Sequence, residues 1–261
     1  QLLNGNEAFW GGLNRLNVSG NHLTELPFGL MSPVLQYLDI SHNNIADLTG
    51  VPPGLKVFDA GFNPIENANE IANMIWLTSL SLSNTNVSDV GFLFNFQFLE
   101  RLDLSAINIV DKEMLIAAIA ALQQLQELNL AEVNLVGSNP YNVNFDLLLP
   151  NLRILNLSDT GLVDISLDQY LLLTSLDVSH NPISSLSGYG LQLEMLNVSH
   201  TFLSEIPVSM DSMKSLYVGY SQMNVSQVLD SILNKGSLLA LDIAGLKRDD
   251  IYWQSSLDSF G

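Results

Sequence analysis

Apolar residues return at fixed intervals along almost the whole chain. In the first copy of the pattern they occupy positions 1, 4, 6, 11 and 14, and an asparagine occupies position 9; these residues are Leu13, Leu16, Val18, Leu23, Leu26 and Asn21. The frame returns ten more times, beginning at Leu35, Leu55, Leu77, Leu99, Leu125, Leu152, Leu173, Leu193, Met213 and Leu238. Eleven copies in register indicate an internal repeat over residues 13–246.

The centre of each copy predicts a short β-strand. Leu16 and Val18 flank Asn17, so apolar and polar side chains alternate with the period of a strand. One copy has an apolar side that it cannot bury alone, and neighbouring copies must stack to form a continuous core. We therefore expect parallel strands on an inner, concave face and a return segment over an outer, convex face.

The pattern L-x-x-L-x-L-x-x-N-x-L resembles that of the leucine-rich repeat family. The resemblance implies an α/β solenoid with short parallel strands on the concave face and loops or 3-10 turns on the convex face. Copies of 20 residues that carry proline, such as those with Pro52 and Pro207, are similar to short bacterial repeats of secreted effectors and surface proteins. Their mixture with 22-residue copies favours a microbial origin.

Position 9 tests the resemblance in detail. In the family its side chain hydrogen-bonds backbone groups of the turn, which a buried turn requires. Asparagine or threonine fills it in seven copies, at Asn21, Asn43, Asn63, Thr85, Thr160, Asn181 and Thr201. Ile107 and Val133 occupy position 9 of the two longest copies and cannot make these bonds. We expect the ladder between repeats to be interrupted there.

A longer insert at residues 112–124 predicts a helix. Leu115, Ala118, Ile119 and Leu122 share one face at helical spacing, and alanine favours helix. The helix either packs along the convex side of an enlarged repeat or uses its remaining apolar surface for self-association.

The two ends of a solenoid need covers with a polar outer side. Residues 1–12, with Phe9 and Trp10, are interpreted as an N-terminal cap. Residues 247–261, which include Trp253 and Phe260, are interpreted as a C-terminal cap or as the start of a truncated region. Alternatively, neighbouring segments of a longer chain supply both covers.

Charge and composition narrow the function. The 261 residues carry 9 Lys and Arg against 27 Asp and Glu, a net charge of −18, and no cysteine. A surface this acidic argues against nucleic-acid partners. The longest apolar run, residues 114–122, is too short to insert across a membrane. No enzyme signature is present, so neither catalysis nor a cofactor is predicted.

Positions 3 and 5 of each copy are predicted to be exposed on the concave face. Position 3 varies widely, which suits recognition, and position 5 is mostly Asp or Asn. Aromatic and arginine side chains are the usual centres of binding energy. The candidate binding residues are Tyr37, Asp39, Asp59, Arg101, Asp103, Glu127, Tyr217 and, from position 8, Tyr220. The acidic column has two interpretations, a ledge for a partner or structural filler between strands.

Position 8 contains one group that suits metal or proton chemistry. Asp159, His180 and His200 occupy it in consecutive copies, and imidazole and carboxylate bind zinc or nickel. A stacked histidine pair is also suited to sensing pH. Ligands in a straight row converge poorly, however, and ordinary variation between repeats explains the same residues.

The sequence thus predicts a protein-recognition module with a rigid acidic concave surface, whose partner carries a basic patch. The alternative is a structural spacer or assembly subunit that uses its convex helix or its ends. Acidity, scarce lysine and the bacterial type of repeat favour a secreted or cell-surface location over a cytoplasmic one.

Overall fold

The computed structural model describes residues 11–26, 32–136, 147–187, 192–206, 211–233 and 236–247. The chain divides into two compact units, the first formed by residues 1–134 and 147–152 and the second by residues 135–146 and 153–261. Most of the two predicted caps, residues 1–10 and 248–261, lies outside the described residues.

The first unit contains six parallel strands that pair in chain order. They are β1 (Arg15–Asn17), β2 (Tyr37–Asp39), β3 (Val57–Asp59), β4 (Ser79–Ser81), β5 (Arg101–Asp103) and β6 (Glu127–Asn129). The second unit contains β7 (Ile154–Asn156), β8 (Asp164–Ser166), β9 (Ser175–Asp177), β10 (Ser185–Ser187), β11 (Met195–Asn197), β12 (Ser215–Tyr217) and β13 (Ala240–Asp242). Within it, β7, β9, β11, β12 and β13 pair in that order, while β8 pairs only with β10 among the described residues.

The eleven repeat strands all cover positions 3 to 5, one residue earlier than the alternation at positions 4 to 6 predicted. The register places equal positions opposite each other, for example Leu38 opposite Phe58. Position 4 points into the core, where Leu38, Phe58 and Leu176 are at most 1% exposed. Positions 3 and 5 point to the opposite side, which we call the strand face. This arrangement confirms the leucine-rich repeat fold.

The segments that return between strands differ between the units. The first unit has 3-10 helices at Asn69–Asn73 and Gly91–Asn95 and an α-helix, α1, at Lys112–Ala121. The Asp111 side chain caps α1 by accepting the Met114 N–H at 2.8 Å. Leu115, Ala118 and Ile119 are buried, which confirms the predicted helix.

The second unit returns partly through strands. The small β8–β10 sheet was not predicted from the sequence. A second helix, α2 (Val225–Ile232), was also missed, although Asn224 and Gln227 form a reciprocal capping box at its start. None of the helices in the described residues is long and apolar enough to cross a membrane.

Position 9 forms the expected ladder of side-chain hydrogen bonds. The Asn43 amide donates to the carbonyls of Val18, Ile40 and Ser41, and its oxygen accepts the Leu23 N–H. Ile107 and Val133 are buried apolar residues whose side chains cannot form these bonds. The series of side-chain hydrogen bonds is therefore interrupted at their two repeats. The backbone ladder is not interrupted between β5 and β6, which remain paired. The predicted interruption was therefore wrong for the backbone between these two strands.

Candidate functional site

Most side chains at position 5 accept a hydrogen bond from the backbone just beyond the end of their own strand. In nine repeats the Asp or Asn oxygen accepts the N–H of position 7, at 2.9 to 3.2 Å; these residues are Asn17, Asp39, Asp59, Asp103, Asn129, Asn156, Asp177, Asn197 and Asp242. Where position 7 is serine, its hydroxyl often donates to the same oxygen, as Ser41 does to Asp39 at 2.7 Å. The recurrent [DN]-x-S is therefore a local turn motif.

Three predicted contact residues, Asp39, Asp59 and Asp103, belong to this motif. Asp39 is 9% exposed and also accepts the Asn17 amide at 2.8 Å. Burial raises the pKa of the Asp59 carboxyl; the Gly61 N–H opposes the shift, and the Asp39 and Asp103 carboxylates add to it. These carboxylates make the strand face acidic, but their first role is structural.

Position 3 supplies more accessible groups in the first unit. The Arg15 guanidinium lies over the Tyr37 ring, 3.6 Å from its centroid, a cation–π contact that orders both side chains. Arg101 is exposed and approaches the Glu100 carboxylate at 3.7 Å. Glu127 lies opposite Arg101 in the register of β5 and β6. An aromatic group and charges of both signs therefore share this strand face.

Tyr217 and Tyr220 lie in the second unit and differ in their surroundings. Tyr217 is half-buried on the strand face of β12. Tyr220 follows the strand at position 8 and is 58% exposed. The sequence placed both in one candidate surface, but only Tyr217 belongs to the strand face.

Every residue at position 8 adopts the left-handed backbone conformation, with φ between 52° and 68°. In nine repeats the N–H at this position donates to the position-7 carbonyl of the next repeat, as in His42 to Gly61 at 2.9 Å and His180 to Ser199 at 3.0 Å. These bonds hold non-glycine residues in a conformation that costs about 1–2 kcal/mol each. Side chains in neighbouring repeats consequently lie side by side, in what we call the position-8 row.

Aromatic rings stack along the position-8 row. In the first unit His42 and Phe62 have centroids 4.1 Å apart. In the second unit His180 stacks on His200 at 4.3 Å, and His200 stacks on Tyr220 at 4.6 Å. The described residues contain no group of three or more His, Asp or Glu suited to hold a metal ion, so Asp159 does not complete a three-ligand site with the histidines.

A second exposed surface was missed from the sequence. Trp76 and Phe98, which directly precede position 1 of their repeats, are 56% and 49% exposed. Their rings stack with centroids 5.5 Å apart. They border a groove of about 590 Å³, also lined by Lys56, Thr78, Gln97, Glu100 and Gln124. Large aromatic residues at the same position of consecutive repeats were the available signal.

Comparison with known proteins agrees with the geometry. A family model described as a leucine-rich repeat matches residues 32–48, 73–92 and 172–191. No curated protein sequence matches the chain.

Several solved structures share the fold. An internalin from Listeria monocytogenes aligns with a TM-score of 0.63 at 20% identity, covering 96% of this chain and 86% of its own. A leucine-rich repeat protein of Leptospira interrogans aligns with a TM-score of 0.66 at 20% identity, covering 92% and 69%. The Arabidopsis receptor kinase HAESA, in complex with a peptide hormone and a co-receptor, gives 0.63 at 17% identity, covering 92% and 47%. At these identities the likeness shows the fold alone.

Proposed function

We propose that this chain, which has the leucine-rich repeat fold, is a recognition module that binds a protein partner through the strand face of its first unit. The observation that carries the proposal is the Arg15–Tyr37 contact at 3.6 Å. The exposed Arg101 lies on the same strand face, three strands from Tyr37. Tyrosine and arginine dominate binding energy at protein interfaces. Because strand pairing fixes their backbones, little ordering is required when a partner binds.

Charge selects the partner. The whole chain carries −18, and Asp39, Asp59, Asp103 and Glu127 lie on or at the end of strands of the proposed surface. A partner with a basic patch complements this surface, whereas a nucleic acid is repelled. We therefore expect affinity to fall as salt is raised from roughly 50 mM to 500 mM. Equal affinity at both salt concentrations would contradict the electrostatic part of the proposal.

The proposal is tested with three baits for host or envelope proteins. The first is the native chain, the second carries Tyr37→Ala with Arg101→Ala, and the third carries Tyr217→Ala with Tyr220→Ala. A partner lost only with the second bait supports recognition by the first unit. Loss only with the third moves recognition to the second unit, and equal capture by all three contradicts the proposed surface.

The second candidate is an assembly subunit. It is favoured by the exposed Trp76–Phe98 pair, since stacked aromatic groups in water are typical of interfaces. The helix α1 offers less apolar surface to a second copy, because the residues exposed along it include the small Ala117 and Ala121. Light scattering after size-exclusion chromatography would show a dimer that Trp76→Ala with Phe98→Ala dissociates. A native monomer at high concentration would remove this candidate.

For location, we propose that the chain is secreted or displayed at a cell surface. Its acidity and its resemblance to short bacterial repeats of secreted effectors and surface proteins support this. Fractionation of source cells with an antibody against the chain tests the location, and a purely cytoplasmic signal contradicts it.

A further inference from the structure

The groove beside Trp76 and Phe98 lies in the first unit, but it does not use positions 3 and 5 of the strand face. Three of its polar residues, Lys56, Thr78 and Glu100, occupy position 2 of consecutive repeats. The Thr78 N–H donates to the Lys56 carbonyl at 2.8 Å, and the Glu100 N–H donates to the Thr78 carbonyl at 2.9 Å. The backbone that carries the groove is therefore fixed before a ligand binds, which lowers the cost of ordering.

The two aromatic rings of the groove overlap only in part. Their planes differ by 12°, but their centroids are 5.5 Å apart, more than the roughly 3.5–4.0 Å that separates carbon atoms in contact. The stack is therefore offset, and Trp76 and Phe98 remain 56% and 49% exposed. The uncovered parts of the two rings have nearly the same orientation, so together they offer a flat ligand two parallel apolar surfaces.

The rest of the lining is polar. Among the described residues it consists of two amides, a hydroxyl, a carboxylate and an ammonium group, those of Gln97, Gln124, Thr78, Glu100 and Lys56. The side-chain amides of Gln97 and Gln124 are exposed and make no hydrogen bond within the described part of the chain. They can therefore bond to a ligand without losing a protein partner. The charges of Lys56 and Glu100 cancel, so the groove, unlike the strand face, favours an uncharged ligand.

We propose that this groove binds a neutral oligosaccharide whose pyranose rings are flat and equatorially substituted. Such a sugar has a face of C–H groups that packs on an aromatic ring, and hydroxyl groups at its edge that bond to amide, hydroxyl and carboxylate side chains. The volume of about 590 Å³ lies within the range of about 300–1,000 Å³ that is usual for sites of small ligands. This site goes beyond the proposed recognition of a protein by the strand face.

A second copy of the chain is the competing occupant of these rings. The core of a protein interface is depleted of charged residues, whereas Lys56 and Glu100 both line the groove beside the rings. Burial against another protein would remove water from these charges, while sugar hydroxyls can bond to both of them. The composition of the groove therefore favours the sugar.

Calorimetric titration at millimolar sugar tests the proposal. The probe is cellohexaose, a β-linked glucose chain that is extended and flat, and the comparison is maltohexaose, an α-linked chain that coils. We expect saturable binding of cellohexaose, at least about tenfold weaker in Trp76→Ala or Phe98→Ala because each removes one ring face. Absence of binding, equal affinity for maltohexaose, or undiminished binding by the double variant overturns the proposal.

Val34 provides the matched control for the aromatic substitutions. It also directly precedes position 1 of its repeat and is 50% exposed, but it does not line the groove. Val34→Ala should therefore bind cellohexaose like the native chain, and each variant is first checked for native circular dichroism. A loss with Val34→Ala as large as that with Trp76→Ala would mean unspecific binding and would overturn the proposal.

Two further variants separate sugar binding from the other proposed contacts. Gln97→Ala with Gln124→Ala should weaken cellohexaose binding at least about fivefold, because two hydrogen-bonding groups are lost, and should leave any self-association unchanged. Tyr37→Ala with Arg101→Ala should bind the sugar like the native chain, so this proposal and recognition by the strand face can fail independently. Undiminished sugar binding by the glutamine variant would contradict the assigned groove.

Tryptophan fluorescence locates the bound sugar. The chain has three tryptophans, and Trp10 and Trp253 lie outside the described residues. Trp10→Phe with Trp253→Phe leaves Trp76 as the single reporter. Cellohexaose should shift its emission to shorter wavelength as the sugar replaces water on the ring, with the midpoint found by calorimetry. Unchanged Trp76 emission at saturating sugar overturns the proposal.

Discussion

The two units build the same strand but satisfy the turn that follows it in different ways. In the first unit each of two asparagine oxygens accepts one backbone N–H: Asn43 accepts that of Leu23, and Asn63 accepts that of Ile45. In the second unit Asn181 alone accepts from the backbones of Thr160, Gly161 and Leu162. A repeat motif thus has unequal value from copy to copy, according to how many backbone groups depend on it.

The position-8 row shows a second difference. The first unit has one stacked pair, His42 and Phe62, whereas the second has three consecutive rings that end over Gly245. Ring stacking offsets part of the cost of the left-handed backbone. The same strained conformation is therefore supported by side-chain contacts to different extents in the two units.

The largest expected loss of stability comes from replacing the asparagine at position 9 by alanine, compared between Asn181 and Asn43. We expect Asn181→Ala to lower the free energy of unfolding by about 3–5 kcal/mol, since several buried backbone groups lose their partner. Asn43→Ala should cost about 2–3 kcal/mol because one N–H depends on its oxygen. Urea denaturation followed by circular dichroism measures both.

Asn21 provides the control for this pair. It occupies the same position in the first repeat but is exposed, so water replaces its bonds to the Val18 and Ser19 carbonyls. Asn21→Ala should therefore cost less than about 1 kcal/mol. Equal losses at Asn181 and Asn43 would show that the difference in hydrogen bonding carries no energetic weight.

Alanine at the two glycines of the position-8 row separates strain from collision. Gly20 and Gly245 have φ of 68° and 67°, but only a Cβ at Gly245 meets a neighbour, the Tyr220 ring. We expect Gly20→Ala to cost about 1 kcal/mol and Gly245→Ala about 2–3 kcal/mol by thermal unfolding. Tyr220→Ala should reduce the second penalty, and a double-mutant cycle without coupling would refute the collision.

Replacing two position-5 aspartates, Asp59 and Asp177, by asparagine should change the stability of the chain in opposite directions. The raised pKa of Asp59 means that folding favours its neutral form, so its contribution is fully present at pH below the unfolded-state pKa and is lost as pH rises through the folded-state pKa. Asp59→Asn should therefore stabilise the chain at pH 7, by less than about 1 kcal/mol. The gain should vanish near pH 3, roughly where the unfolded carboxyl is protonated.

Asp177 provides the contrast in the second unit. Its carboxylate accepts the Asn197 amide at 2.9 Å and the Ser179 hydroxyl at 2.6 Å. Asp177→Asn replaces one of the two accepting oxygens by an NH2 group, so one of these hydrogen bonds is lost. We expect a loss of about 0.5–1.5 kcal/mol at pH 7, measured by urea denaturation. Stabilisation by both substitutions would show that net charge, rather than the local partner, decides the sign.

The strands and the core could be predicted from sequence because one apolar period defines both. Position 4 is buried in each interior repeat, and α1 follows from the spacing of Leu115, Ala118 and Ile119. The left-handed position 8 was also readable in principle, since Gly20 and Gly245 occupy it. The repeat frame also predicted that His180 and His200 lie side by side, and their rings stack. The stacks of His42 on Phe62 and of His200 on Tyr220 were not predicted, because no pattern within a single repeat indicates them.

The outer strands and the role of the acidic column were harder to infer. β8 lies in an alternating segment, Val163–Leu167, whose period resembles a strand but whose three residues pair with a strand of another repeat. Asp39 and Asp103 resemble a binding ledge in sequence, yet their oxygens accept local N–H groups. An aspartate two residues before a serine carries no sequence signal that separates turn formation from partner binding.

The smallest expected effect tests the backbone strain alone. Ala106 holds the left-handed conformation with φ of 54°, and its methyl group cannot stack. Ala106→Gly should therefore stabilise the chain by about 0.5 kcal/mol, the relief of strain less the entropy that glycine adds to the unfolded chain. Phe62→Gly relieves the same strain but loses the His42 ring contact at 4.1 Å, worth about 0.5–1.5 kcal/mol, so it should give no gain. Matched urea denaturation of the two variants decides the point, because equal stabilisation by both would mean that the stacked rings contribute nothing to holding position 8.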